Sequence, residues 1–99
     1  MNKILVLITI SDNGIDIIKS NTDLPKKEME FVNKWKEESI LVSFFISVTK
    51  KDVVLIFKNI DEHTVKKLIE MLPYFPYMIR IDYHYLNQQF GLTVKQACC

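Results

Sequence analysis

Arg80, Asp82 and His84 stand two residues apart in the run Tyr77-Met78-Ile79-Arg80-Ile81-Asp82-Tyr83-His84-Tyr85-Leu86. In an extended chain alternate side chains share one side, so a guanidinium, a carboxylate and an imidazole would meet any molecule lying across it. An imidazole titrates near neutrality and a neighbouring carboxylate orients its ring, as a proton shuttle requires. His84, Asp82 and Arg80 are therefore the candidate catalytic set. The plainer account of the same pattern is an edge or interface strand whose outer side carries an ordinary ion pair.

Other residue types capable of chemistry are scattered. Phe45, Tyr77 and Tyr83 are candidate ligand-binding residues through their rings; Tyr83 and Tyr85 also fit core tyrosines that reach water with their hydroxyls. Glu28 and Glu30 would serve as bases if a cleft enclosed them, and otherwise belong to a solvated helix face. His63 falls in the first turn of a predicted helix, where exposure is expected. His63, His84, Cys98 and Cys99 are four potential zinc ligands, but the adjacent cysteines lack the spacer of ordinary structural sites, so no metal is expected. The chain has only two glycines, Gly14 and Gly91, which excludes Gly-rich phosphate cradles, and no cofactor is expected.

These groups must be positioned by one small domain. The chain has 99 residues, 48% hydrophobic and 25% charged, with a net charge of +1. A chain of this size builds one core, expected over residues 1–86 with a tail over 87–99. Charge so close to balance, with both signs interspersed, argues against nucleic acid and against a polybasic membrane anchor. No stretch approaches the roughly 18 apolar residues of a membrane-spanning helix. The apolar run Ile4–Ile10 lacks a small-residue cleavage site and reads as a strand. Two adjacent terminal cysteines close no loop and suit a reducing cytoplasm, while the prenylation signal they resemble belongs to a GTPase fold whose phosphate loop is missing here.

The periodicities predict four strands and two helices. Lys3–Ile10 is an apolar, β-branched strand closed by the turn formers Ser11, Asp12, Asn13 and Gly14, and residues 15–21 fit no single pattern. Asp23 is expected to cap a helix running to Glu38, with Met29, Val32 and Trp35 inward and Lys26, Lys27 and Glu28 among the residues facing water. Alternation from Ile40 to Thr49, a turn at Lys50-Lys51-Asp52 and a strand over Val53–Lys58 predict a hairpin. Asp61 caps a second helix carrying Val65, Leu68, Ile69 and Leu72, which stops at Pro73. The fourth strand runs from Tyr77 to Leu86. The order strand, helix, strand, strand, helix, strand is the split pattern of a ferredoxin-like α+β fold, βαββαβ, an antiparallel sheet with two helices on one face.

The face of the sheet away from the helices should then be polar in a monomer, and it is not. Leu5 and Leu7, Leu41 and Phe45, and Val54 and Ile56 stand behind the main apolar rows. Five or six such side chains represent on the order of 10 kcal/mol of unused burial. Two sheets packed face to face, forming a dimeric α/β barrel, would cover them. Self-association as a homodimer or higher homo-oligomer is the expectation.

Leu72-Pro73-Tyr74-Phe75-Pro76-Tyr77-Met78 closely resembles the Leu-Pro-Leu-Phe-Pro-Tyr-Met segment of the muconolactone isomerase family, and Lys66–Leu72 resembles that family's second helix. Physically, Pro73 and Pro76 end the helix and stiffen the link to the next strand, with Phe75 and Tyr77 expected to wedge between the two. With the element order, the resemblance covers residues 1–86. It implies a dimeric α/β barrel that binds a small apolar or lactone-like molecule in the gap between sheet and helices. It also implies an isomerase that moves a carbon–carbon double bond by proton transfer.

The family's Leu-Trp-Arg-x-x-Gly segment falls on Phe44–Thr49, where Phe45 replaces the Trp, Ile46 the Arg and Thr49 the Gly. The cation for a substrate carboxylate is thereby lost, and no catalytic role is carried over from the family. The other reading is a non-catalytic ligand-binding or assembly module of the same barrel class. An RNA-binding domain with this element order would need a basic, Gly- and aromatic-rich third strand, which Asp52–Phe57 does not supply.

Overall fold

The computed structural model describes residues 3–86; residues 87–99, with the expected tail and the Cys98-Cys99 pair, lie outside the described residues. Strand β1 (Lys3–Ile10) is followed by helices α1 (Asp12–Lys19) and α2 (Asp23–Glu37). Strands β2 (Leu41–Ile46) and β3 (Asp52–Lys58), helix α3 (Glu62–Glu70), a single 3₁₀ turn (Phe75–Tyr77) and strand β4 (Met78–Leu86) complete the chain. The sheet is antiparallel in the order β2-β3-β1-β4. This is the ferredoxin-like arrangement, with one short helix more than the periodicities predict.

That helix, α1, grows out of residues expected to form a turn. Ser11 Oγ accepts a hydrogen bond from the Gly14 N–H at 2.9 Å, so the turn formers act as an N-cap. Its Ile15 and Ile18 pack against the core, while Asp12 pairs with Lys51 at 2.7 Å. A second correction concerns α2, whose entry is capped by Asn21 rather than Asp23: Asn21 Oδ1 accepts from the N–H groups of Asp23 and Leu24. The cap of α3 is as expected, with Asp61 Oδ1 accepting from Thr64 N–H at 2.8 Å.

Ile4, Val6, Ile8 and Ile10 of β1, with Leu55 and Phe57 of β3, form the sheet side of the core. Val32 and Trp35 of α2, Val65 and Ile69 of α3, and Leu72 cover them. Trp35 lies between Phe31 and Phe57, with ring centroids at 6.0 and 5.5 Å. Two bulges correct the simple alternation. One, between Leu41 and Ser43 in β2, brings Leu41 and Phe44 to the same side although their spacing is odd. The other, opposite Thr9 and Ile10, turns Met78 toward the core and leaves Ile79 exposed.

Candidate functional site

Between the helical layer and the β2–β3 half of the sheet lies a cavity of about 240 Å³. Its floor is apolar: Ile10 from β1, Phe44 from β2 and Val53 from β3. Ile15 and Ile18 of α1 wall one side, so the helix missed in the sequence encloses the cavity. Exposed Lys19, Met29, Ile46 and Lys50 stand at the rim. Pro25, Glu28 and Tyr74 complete the lining.

Glu28 is the only buried charged residue among those described, with 8% of its surface exposed. The sequence expectation placed it in water and Met29 inward; the helix is in fact rotated so that Glu28, Val32 and Trp35, at spacings of four and three, form the buried stripe. Met29 is 41% exposed. Loss of hydration penalises the carboxylate and pushes Glu28 up from an ordinary 4.5 to about 7, against the pull of one hydrogen bond to its charged form. That bond is donated by the Tyr74 N–H to Glu28 Oε1 at 3.1 Å.

The proline-bounded corner supplies this donor. Pro73 ends α3, the N–H of Phe75 bonds to Leu72 O at 2.9 Å, and the N–H of Tyr77 bonds to Tyr74 O at 2.9 Å. The Tyr74 N–H is thereby left to face α2. Its ring, not that of Phe75, turns inward; Phe75 is exposed. Burial and the charge of Glu28 both push the Tyr74 phenol upward, so it stays an O–H donor. The side chains of Glu28 and Tyr74 thus line the same largely apolar space, the setting in which proton transfer and oxyanion stabilisation are most effective.

The other candidate residues lie elsewhere. Arg80, Asp82 and His84 do share one side of β4, opposite Thr9, Leu7 and Leu5 of β1, on the open face of the sheet and therefore across it from the cavity. Arg80 Nε donates to Asp82 Oδ2 at 2.8 Å, and His84 is exposed. Phe45 pairs with Val54 on that same open face. Tyr83 is half-buried on the helical side, with the Lys66 ammonium 5.4 Å from its ring centre. Tyr77 packs its Cβ against Gly14 at the corner. None of these six residues lines the cavity.

No protein-family model matches the chain, and no curated protein matches it. Solved structures do. The crystal structure of an antibiotic biosynthesis monooxygenase superposes with a TM-score of 0.55 at 16% identity, over 91% of this chain and 100% of that one. A protein from Agrobacterium tumefaciens gives 0.52 at 9% identity, over 92% and 96%. At such identities the likeness is one of fold.

Proposed function

We propose that the protein is a cytoplasmic, self-associating α/β-barrel protein that binds a small, mostly apolar molecule between its sheet and helices and isomerises it by intramolecular proton transfer. The observation that carries this reading is the protonatable carboxyl of Glu28 inside an otherwise largely apolar cavity of about 240 Å³. The segment Leu72–Met78, which resembles the muconolactone isomerase family, is the one that aims the Tyr74 N–H at that carboxyl. Ile46 at the rim, where that family has an arginine, argues for a different substrate.

Self-association is supported by the open face. Phe45 is 59% and Leu7 37% exposed there, with Leu5, Val54 and Ile56 beside them, and a second sheet packed against it would bury all five. The Arg80–Asp82 pair favours one further reading, in which His84 moves the proton on that face with Asp82 and Arg80 assisting and Phe45 in contact with the ligand. Tyr77 and Tyr83, by contrast, are held in packing contacts on the helical side.

Saturation-transfer NMR with cyclohex-3-enone and α-angelica lactone separates the two locations. The wild-type protein should transfer saturation to these probes, and Ile46→Trp, which narrows the mouth, should abolish it. Undiminished transfer in Ile46→Trp would place the ligand elsewhere. Binding without turnover of any small carbonyl compound would leave the ligand-binding module as the function.

A further inference from the structure

We infer that Glu28 and Tyr74 act as base and enolate-stabilising donor on an uncharged, enolisable carbonyl compound. This rests on the cavity being the ligand site. The two groups come from different elements, α2 and the corner after α3, and converge on one space. Among the described residues they are the only polar side chains that line it below the rim.

The absence of a charge on the substrate follows from what faces Glu28. β1, β2 and β3 offer only Ile10, Phe44 and Val53 at the floor, and no cation lies among them. The charged neighbours are Lys19 of α1 and Lys50 of the β2–β3 turn, both exposed at the rim. A carboxylate carried below the rim, past Lys19 and Lys50, would lose its hydration with no cation at the floor to pair with and would meet a second carboxylate in Glu28. A neutral ketone, ester or lactone escapes both costs. Its carbonyl oxygen accepts the Tyr74 O–H, and its carbon skeleton fits the apolar floor.

The step balances within one substrate molecule. The Glu28 carboxylate takes a proton from the carbon between the carbonyl and a β,γ double bond. The C–H electron pair forms a new C=C bond, and the carbonyl π pair moves onto oxygen, where the Tyr74 hydroxyl stabilises the negative charge. The oxygen pair then re-forms C=O, the new C=C pair shifts to lie between the α and β carbons, and the former β,γ pair takes the proton back from the Glu28 carboxyl at the γ carbon. The product is the α,β-unsaturated isomer, with no oxidant, reductant or co-reactant consumed.

The test follows α-angelica lactone, a neutral β,γ-unsaturated lactone, by proton NMR in deuterated buffer, reading deuterium uptake at the α carbon and appearance of the α,β isomer above background. Muconolactone serves as the carboxylate-bearing comparison. The wild-type protein should act on the neutral lactone at least ~10-fold faster than on muconolactone, with a rate that rises as the base ionises. Glu28→Gln, which keeps an acceptor for the Tyr74 N–H, should lower the rate ~10²-fold or more, and Tyr74→Phe should lower it clearly, both with saturation transfer retained. A wild-type rate in Glu28→Gln, a preference for muconolactone, or a loss seen in His84→Ala instead would overturn the inference. So would binding that Ile46→Trp abolishes but that leads to no exchange, and in that case the cavity reading would survive. Absence of both binding and exchange would overturn the two together.

Discussion

Glu28 has a thermodynamic consequence that does not depend on any substrate. Its folded-state value of about 7 lies above the ordinary 4.5, so the folded state holds the proton more tightly than the unfolded chain. The favourable contribution of this group is complete below pH 4.5 and is lost as pH rises through about 7. Glu28→Gln should therefore match the wild type near pH 4.5 and exceed it above pH 7, by on the order of 1–3 kcal/mol. Urea unfolding at the two pH values measures this, and parallel pH dependences would mean that the carboxyl is hydrated in solution. The position of Glu28 four residues before Val32 and seven before Trp35 was visible in the sequence. From sequence alone this residue is expected to face water, because hydration is the default for a helical glutamate.

At the scale of elements, α1 closes one side of the cavity and is held by a close approach. A Cβ added at Gly14 would lie 2.6 Å from Tyr77 Cβ, 2.9 Å from Ser11 Oγ and 3.1 Å from Ile10 Cγ2. The Ser11 N–H also bonds to Tyr77 O at 2.9 Å, tying the start of the helix to the corner that carries Tyr74. Gly14→Ala should destabilise the fold by ~1–3 kcal/mol, despite the better helix propensity of alanine, and should loosen ligand binding along with it. Thermal unfolding checks the first effect; a midpoint equal to or above the wild type would show that α1 is not clamped against Tyr77. No periodicity announced this contact, which joins residues more than sixty positions apart and depends on the sheet having formed.

For the whole molecule, the open face of the sheet is the feature with the largest energetic stake. Covering the surface that Leu7, Phe45, Leu5, Val54 and Ile56 still expose would add part of the ~1.5–3 kcal/mol that full burial of each such side chain brings. Phe45→Asp or Leu7→Asp should leave the protomer folded, since neither side chain enters the core, yet disrupt assembly by burying an unpaired carboxylate. Light scattering at micromolar concentration checks both halves of this prediction. A wild-type mass near the 11.7 kDa of the chain would refute self-association outright. The Arg80–Asp82 pair and His84 border this face, so in an assembly they would lie at or near its rim.

The sequence by itself determined the order of the four strands and the two longer helices, the strand pairing class and the surplus apolar face, because these rest on local periodicity and on side-chain alternation, which are properties of short segments. It also identified the proline-bounded corner, since Pro73 and Pro76 restrict the backbone wherever they stand. Tertiary structure alone decided the rotation of α2, the formation of α1 and the two bulges. Each was settled by competition among distant surfaces for the same core: Trp35 had to reach Phe57, which turned Glu28 inward, and Gly14 had to admit Tyr77, which brought α1 over the cavity. Whether a carboxylate is hydrated or dry is set by what the rest of the chain places around it. For that reason the row Arg80, Asp82 and His84 was legible as a pattern, while the pairing of Glu28 with Tyr74, 46 residues apart, was not.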